Sequence, residues 1–254
     1  MSYEKRVKYK NELGQELIFD DWVLFCESID TTGVSGVFNS ESLAFSSGQV
    51  TTDVFLGAKT IPCSFAFKDI RDDIFMRDKI SAFFDPTISG VLTVYSEWDK
   101  YEIDVRPAAV PSFQRDKDVP YVWRWDVDFI ADFPYWRVGA KRSVTLESQY
   151  TSIRSHCPLS VPIEIYFPPS TASRIYINVN GKGFVYNGTN CDVGVVLDAR
   201  NFTCTGTDGN DYSQNVDVTV NIESLKLRYG KNTIACPTYS GIIVSYYYLS
   251  TGVF

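Results

Sequence analysis

His156 is the only histidine in the 254-residue chain, and it stands beside Cys157. A cysteine–histidine dyad needs two side chains that face one another, whereas neighbours on an extended chain point to opposite faces. The pair therefore reads as a surface turn residue beside a small buried thiol. A Ser-His-Asp triad would draw on the same histidine, and no Gly-x-Ser-x-Gly elbow is present. Gly181-Lys182-Gly183 lacks the spacing of a phosphate-binding loop and reads as a turn. Asp208-Gly209-Asn210-Asp211 lacks the ladder of alternating ligands and the terminal glutamate of a calcium loop, so it too reads as a hairpin turn. The 31 carboxylates allow glycosidase-like pairs by number alone, but no spacing singles one out. The expectation is a protein with no catalytic residues, no metal site and no cofactor.

The six cysteines, Cys26, Cys63, Cys157, Cys191, Cys204 and Cys236, form no C-x-x-C pair. The first ten residues are charged and contain no apolar leader core, so reduced thiols are expected. The uncharged stretch after Lys231 is broken by Pro237, Gly241 and three consecutive tyrosines, which argues against membrane insertion. A net charge of −7 argues against specific nucleic-acid binding, which normally needs a basic surface.

What remains is surface chemistry. From Thr31 to Gly57 the chain turns to Gly, Ser, Thr and Phe, as a flexible loop or a long β-hairpin arm would. Val37, Phe38, Leu43, Phe45, Val54, Phe55 and Leu56 lie in it and need something to bury against, which a second subunit could supply. Tyr186, Tyr212 and Tyr239 stand beside turns and are candidates for stacking on sugar rings.

The elements that would position these residues are mostly strands. The chain has 26 Val against 12 Leu and 11 Ala, and 38 aromatics, a bias that suits pleated surfaces over helices. Tyr121–Phe133 gives the strongest strand signal, with Trp123, Trp125, Val127 and Phe129 alternating with Arg124, Asp126 and Asp128. Asp69–Phe84 is the one expected helix, with Asp69 as its cap and Ile70, Ile74, Arg77, Ile80 and Phe84 on one face. A domain boundary is expected near residues 136–145. Beyond it, short strands at regular spacing predict a sandwich, among them Gln214–Val220. Residues 1–140 carry 15 basic and 23 acidic groups, net −8, and the remainder 9 and 8, net +1.

Several stretches give the chain a family likeness. Asn11-Glu12-Leu13-Gly14-Gln15-Glu16-Leu17 precedes the Gly/Ser-rich arm. Ala131-Asp132-Phe133-Pro134-Tyr135-Trp136 lies between the halves. Val195-Val196-Leu197-Asp198 leads to Cys204-Thr205-Gly206-Thr207-Asp208-Gly209, and Leu227-Arg228-Tyr229-Gly230-Lys231-Asn232-Thr233-Ile234 turns into a late strand. In order and spacing these resemble the distal tail protein (Dit) family of long-tailed, non-contractile bacteriophages. One departure is local: Thr60-Ile61-Pro62-Cys63-Ser64 lacks the arginine that the family often carries there.

The resemblance implies a mainly β protein. Residues 1–138 would form a β-sandwich or split-barrel domain with one helix (about 69–84) and a hairpin arm (about 31–57), and residues 139–254 a galectin-like β-sandwich. It implies a structural hub without catalysis, a homohexameric ring between tail tube and baseplate. Its partners would be itself, the tail tube protein, the tape-measure protein, and baseplate and receptor-binding proteins. It would sit at the virion tail tip after assembly in the bacterial cytoplasm. In such a ring the acidic first domain would line the passage, with Glu97, Asp99, Glu102, Asp104, Asp116 and Asp118 as candidate wall residues. Two rivals stay open: a carbohydrate-binding module for host cell-surface glycans, and a tail-associated hydrolase.

Overall fold

The computed structural model describes residues 6–20, 23–32, 36–42, 49–69, 74–146, 150–169, 174–187, 192–217, 225–236 and 241–253, with 36–42 and 49–56 as backbone. The chain divides into two units, Met1–Val138 with Ser250–Phe254, and Gly139–Leu249. The protein is mainly β, with one α-helix among the described residues.

The first unit holds β1 (Arg6–Asn11), β2 (Glu16–Phe19), β3 (Leu24–Ile29), β4 (Gly36–Ser42), β5 (Gln49–Leu56), β6 (Lys59–Lys68), α1 (Ile74–Phe83), β7 (Gly90–Tyr95), β8 (Lys100–Pro107), β9 (Gln114–Arg115) and β10 (Val122–Ala131). Seven strands neighbour one another in the order β2-β1-β7-β8-β10-β6-β3, and an Asp20–Phe25 bridge brings β3 back to β2. The ladder therefore closes on itself and leaves little free edge. On β10, Trp125, Val127, Phe129 and Ala131 are buried, while Arg124, Asp126 and Asp128 are exposed, as the alternation predicts.

Inside lies an aromatic core. Phe65 stacks on Phe19 with centroids 4.2 Å apart and touches Trp125 at 5.6 Å, and Tyr9 stacks on Phe84 at 5.6 Å. The Tyr9 hydroxyl is buried without a hydrogen-bond partner among the described residues. Burial pushes its phenol up to about 12, and the Glu12 carboxylate adds to the rise. Between pH 10 and 12 the unfolded chain loses this proton while the folded one keeps it, so stability falls with rising pH in that window. Chemical denaturation should show wild type losing roughly 2–3 kcal/mol more than Tyr9→Phe between pH 10 and pH 12; equal losses would contradict the burial.

Three readings of these elements are corrected. β1 was not anticipated: Arg6, Lys8 and Lys10 hide an alternation in which Val7, Tyr9 and Asn11 are buried. The described helix spans Ile74–Phe83, and Ile70–Asp73 lie outside the described residues. Ile74 is not on its buried face, being 66% exposed; Ile80, Phe83 and the following Phe84 carry the packing. The division between the units, at Val138/Gly139, falls inside a strand, β11 (Trp136–Leu146), whose Trp136 is fully buried.

The second unit contains β12 (Tyr150–Ser155), β13 (Val161–Pro162), β14 (Glu164–Phe167), β15 (Ile175–Val179), β16 (Lys182–Tyr186), β17 (Val195–Asp198), β18 (Thr203–Gly206), β19 (Lys226–Leu227), β20 (Gly230–Ala235) and β21 (Ile242–Ser250). One sheet runs β18-β17-β14-β21 and the other β12-β20-β15-β16. Phe167 of the first stacks on Tyr186 and Phe184 of the second, at 5.5 and 6.4 Å, which makes the pair a sandwich. The third correction is Gln214–Val220. Gln214 and Asn215 sit in a 3-10 turn (Ser213–Asn215), Val216 makes a single bridge to Tyr186, and 218–220 lie outside the described residues.

The Leu227–Ile234 motif has a physical basis. Asn232 is fully buried; its Nδ2 donates to the Arg228 and Gly230 carbonyls, and its Oδ1 accepts from the Arg228 N–H and Asn180 Nδ2. One amide thus satisfies a loop that would otherwise bury bare backbone groups.

Candidate assembly surface

The chemistry-bearing residues are held apart. His156 is exposed and Cys157 buried. The Cys157 thiol donates to the Leu249 carbonyl at 3.3 Å and accepts from the Leu249 N–H at 3.4 Å. Cys26, Cys63, Cys157, Cys204 and Cys236 form no disulfide among the described residues, and Cys191 lies outside them. Burial raises the Cys63 thiol well above its ordinary range. Asp208 accepts from the N–H and Nδ2 of Asn210 and from the Tyr212 hydroxyl, which closes a hairpin turn and holds its carboxyl low. Among the described residues no group of three or more His, Cys, Asp or Glu side chains could hold a metal ion. No helix among them is long and apolar enough to cross a membrane.

β4 and β5 form the arm. Their backbones pair Gly36 with Leu56, Val37 with Phe55 and Phe38 with Val54, and the register shifts between Asn39 and Ser40. Leu43 and Phe45 lie outside the described residues. The two strands pair with each other and with no other described strand. An isolated two-stranded hairpin is marginal in water, so such an arm gains by being covered.

The base of the arm is fixed by a residue that sequence reasoning did not pick out. Lys59 is buried; its Nζ donates to the Thr31 carbonyl at 2.6 Å and to the Thr251 carbonyl at 2.7 Å, and lies 5.8 Å from the Trp136 ring centre. Burial lowers its pKa, and Asp30 works against that shift. Lys59 thereby ties together the two ends of the arm segment and the end of the chain. Its only sequence signal was a lysine at the end of an apolar stretch.

The acidic candidates divide. Glu97 and Asp99 are exposed at the turn between β7 and β8, flanking Trp98, which is 85% exposed. Asp118 is exposed as well. Glu102 pairs with Lys100 at 2.5 Å, Asp104 takes a two-pronged bond from Arg137 at 2.7 and 3.1 Å, and Asp116 pairs with Arg124. Those three carboxylates contribute less to any acidic field than their number implies.

Of the sugar-stacking tyrosines, Tyr186 is corrected. It is 1% exposed, stacked on Phe167, and its hydroxyl accepts from Asn215 Nδ2 at 3.1 Å. Its register against Ile175 turns it into the core. Tyr212 is half-buried at the Asp208 turn, and Tyr239 lies outside the described residues.

No protein-family model matches the sequence, and no curated protein sequence matches it. Solved structures do. The Dit protein (gp 19.1) of phage SPP1, a paradigm of the hub adsorption apparatus in phages that infect Gram-positive bacteria, superposes with a TM-score of 0.67. At 11% identity the match covers 96% of this chain and 99% of that one. This chain has the Dit fold. Chains of the phage p2 baseplate in its activated conformation, with calcium or with strontium, match at TM-scores of 0.60 and 0.62. Both are 7% identical and cover 98% of this chain and 99% of their own. The likeness to the Dit fold thus embraces both units.

Proposed function

We propose that this chain is the hub of a phage tail tip, a structural protein of which six copies close into a ring. The ring joins the tail tube to the baseplate and host-adsorption proteins. The first unit forms the ring with its hairpin arm, and the galectin-like second unit faces outward. The observation that carries this reading is the near end-to-end likeness to the SPP1 Dit protein, both units included. Two features of the chain support it. The hairpin joins no other strand among the described residues. The helix exposes Ile74 and Phe75, and large exposed apolar side chains favour a partner surface.

Light scattering on the purified chain tests the oligomer. Six protomers of 28.7 kDa give about 172 kDa. A monomer at every concentration up to the millimolar range would contradict the self-assembling ring.

A further inference from the structure

The outward face of β12-β20-β15-β16 carries a groove of about 450 Å³, lined by Tyr150, Tyr176, Asn178, Asn180, Thr233 and their neighbours. Register sets its layout. Tyr150 pairs with Ala235, which pairs with Asn178, and Ser152 pairs with Thr233. Tyr150 is 70% exposed and Tyr176 38%. The Tyr176 ring lies across Gly183, where a Cβ would come within 2.7 Å of its hydroxyl oxygen, so the ring is laid against the sheet. Asn180 and Gly181 both have positive φ, 53° and 87°, and make the tight turn that closes one end.

One residue pair further along the same face, Arg154 stands directly opposite Lys231. Two strand residues separate them from the Ser152–Thr233 row, roughly 7 Å. Like charges placed opposite each other destabilise a sheet. Both are exposed, and these four strands contain no Asp or Glu. No carboxylate among the described residues pairs with either of them.

We propose that this face binds an anionic saccharide, with sugar rings against Tyr150 and Tyr176 and acidic substituents against Arg154 and Lys231. Flat aromatic faces beside hydroxyl and amide groups suit a pyranose, because its C–H faces are apolar and its rim is polar. The pair of cations, uncompensated within the sheet, supplies the preference for negative charge. This site is distinct from Tyr186 and Tyr212, and it does not depend on ring formation.

Calorimetric titration of the full chain with dextran sulfate, neutral dextran and inorganic polyphosphate tests it. Dextran sulfate should bind at least about tenfold more tightly than either of the others. Neutral dextran binding equally well would overturn the anionic preference, and polyphosphate binding equally well would overturn the saccharide. Tyr150→Ala and the double variant Arg154→Gln/Lys231→Gln should each weaken dextran sulfate about tenfold, while Phe202→Ala, an exposed aromatic elsewhere in the unit, should leave it unchanged. Unaltered affinity in either variant, or no binding by wild type, would sink the proposal. The altered side chains are all exposed, so unchanged thermal melting is expected alongside.

Discussion

Phe65→Ala should destabilise the first unit by about 3–5 kcal/mol. The ring is fully buried at the centre of the aromatic cluster, where it touches Phe19, Phe84 and Trp125. It sits on β6, which pairs with both β3 and β10, so backbone collapse into the hole is resisted from two sides. The cost therefore combines the lost transfer free energy with a cavity that the ladders hold open. In thermal denaturation this corresponds to a fall of roughly 10–20 °C for a unit of this size. A fall equivalent to less than about 1 kcal/mol would mean that the core does not close as described.

Deleting Phe38–Phe55 and joining the ends with a short glycine linker should leave a folded monomer. The apolar residues Val37, Phe38, Val54, Phe55 and Leu56 lie on a hairpin with no sheet partner among the described residues. Strand addition to a neighbouring subunit would pair the hairpin's outer backbone groups and cover its apolar side chains together. The anchor at Lys59 is outside the deletion, so the remaining fold keeps its clamp on Thr31 and Thr251. Light scattering should drop from about 172 kDa to a single protomer of slightly under 28.7 kDa. A ring that persists at its original size would show that the arm is not what assembles it.

Legibility in the sequence followed the strength of local pattern. β10 was plain because its two faces differ in polarity along ten residues. The Asn180-Gly181 turn was plain because few residues accept positive φ. β1 and β11 were not. In β1 the outward residues are Lys and Arg in a stretch that reads as a charged tail. In β11 a run of exposed Lys141, Arg142 and Ser143 offers no period-two signal, and its pairing is set by distant strands. The groove on the second sandwich was equally hidden. Tyr150 and Tyr176 are 26 positions apart in the chain and meet only through β20. Tyr186 misled because its neighbouring turn suggested a rim position, whereas strand register alone decides which face it occupies. The ion pair between Asp104 and Arg137 is likewise a tertiary fact, invisible in the charge count.

The acidity of the first unit gives the hub reading its sharpest consequence. All of the net −8 of residues 1–140 lies in that unit, and six copies formally carry −48. A passage for DNA should repel phosphates rather than hold them, over a range of about 8 Å at physiological salt. On this reading the exposed Glu97, Asp99 and Asp118 would line it, with Glu102, Asp104 and Asp116 muted by their basic partners. An electron cryomicroscopy reconstruction of the assembled protein tests this directly. The account predicts a sixfold ring with first units inside, second units outside, and a net acidic wall around the central passage. A ring lined by second units, a neutral or basic wall, or particles without sixfold symmetry would contradict it.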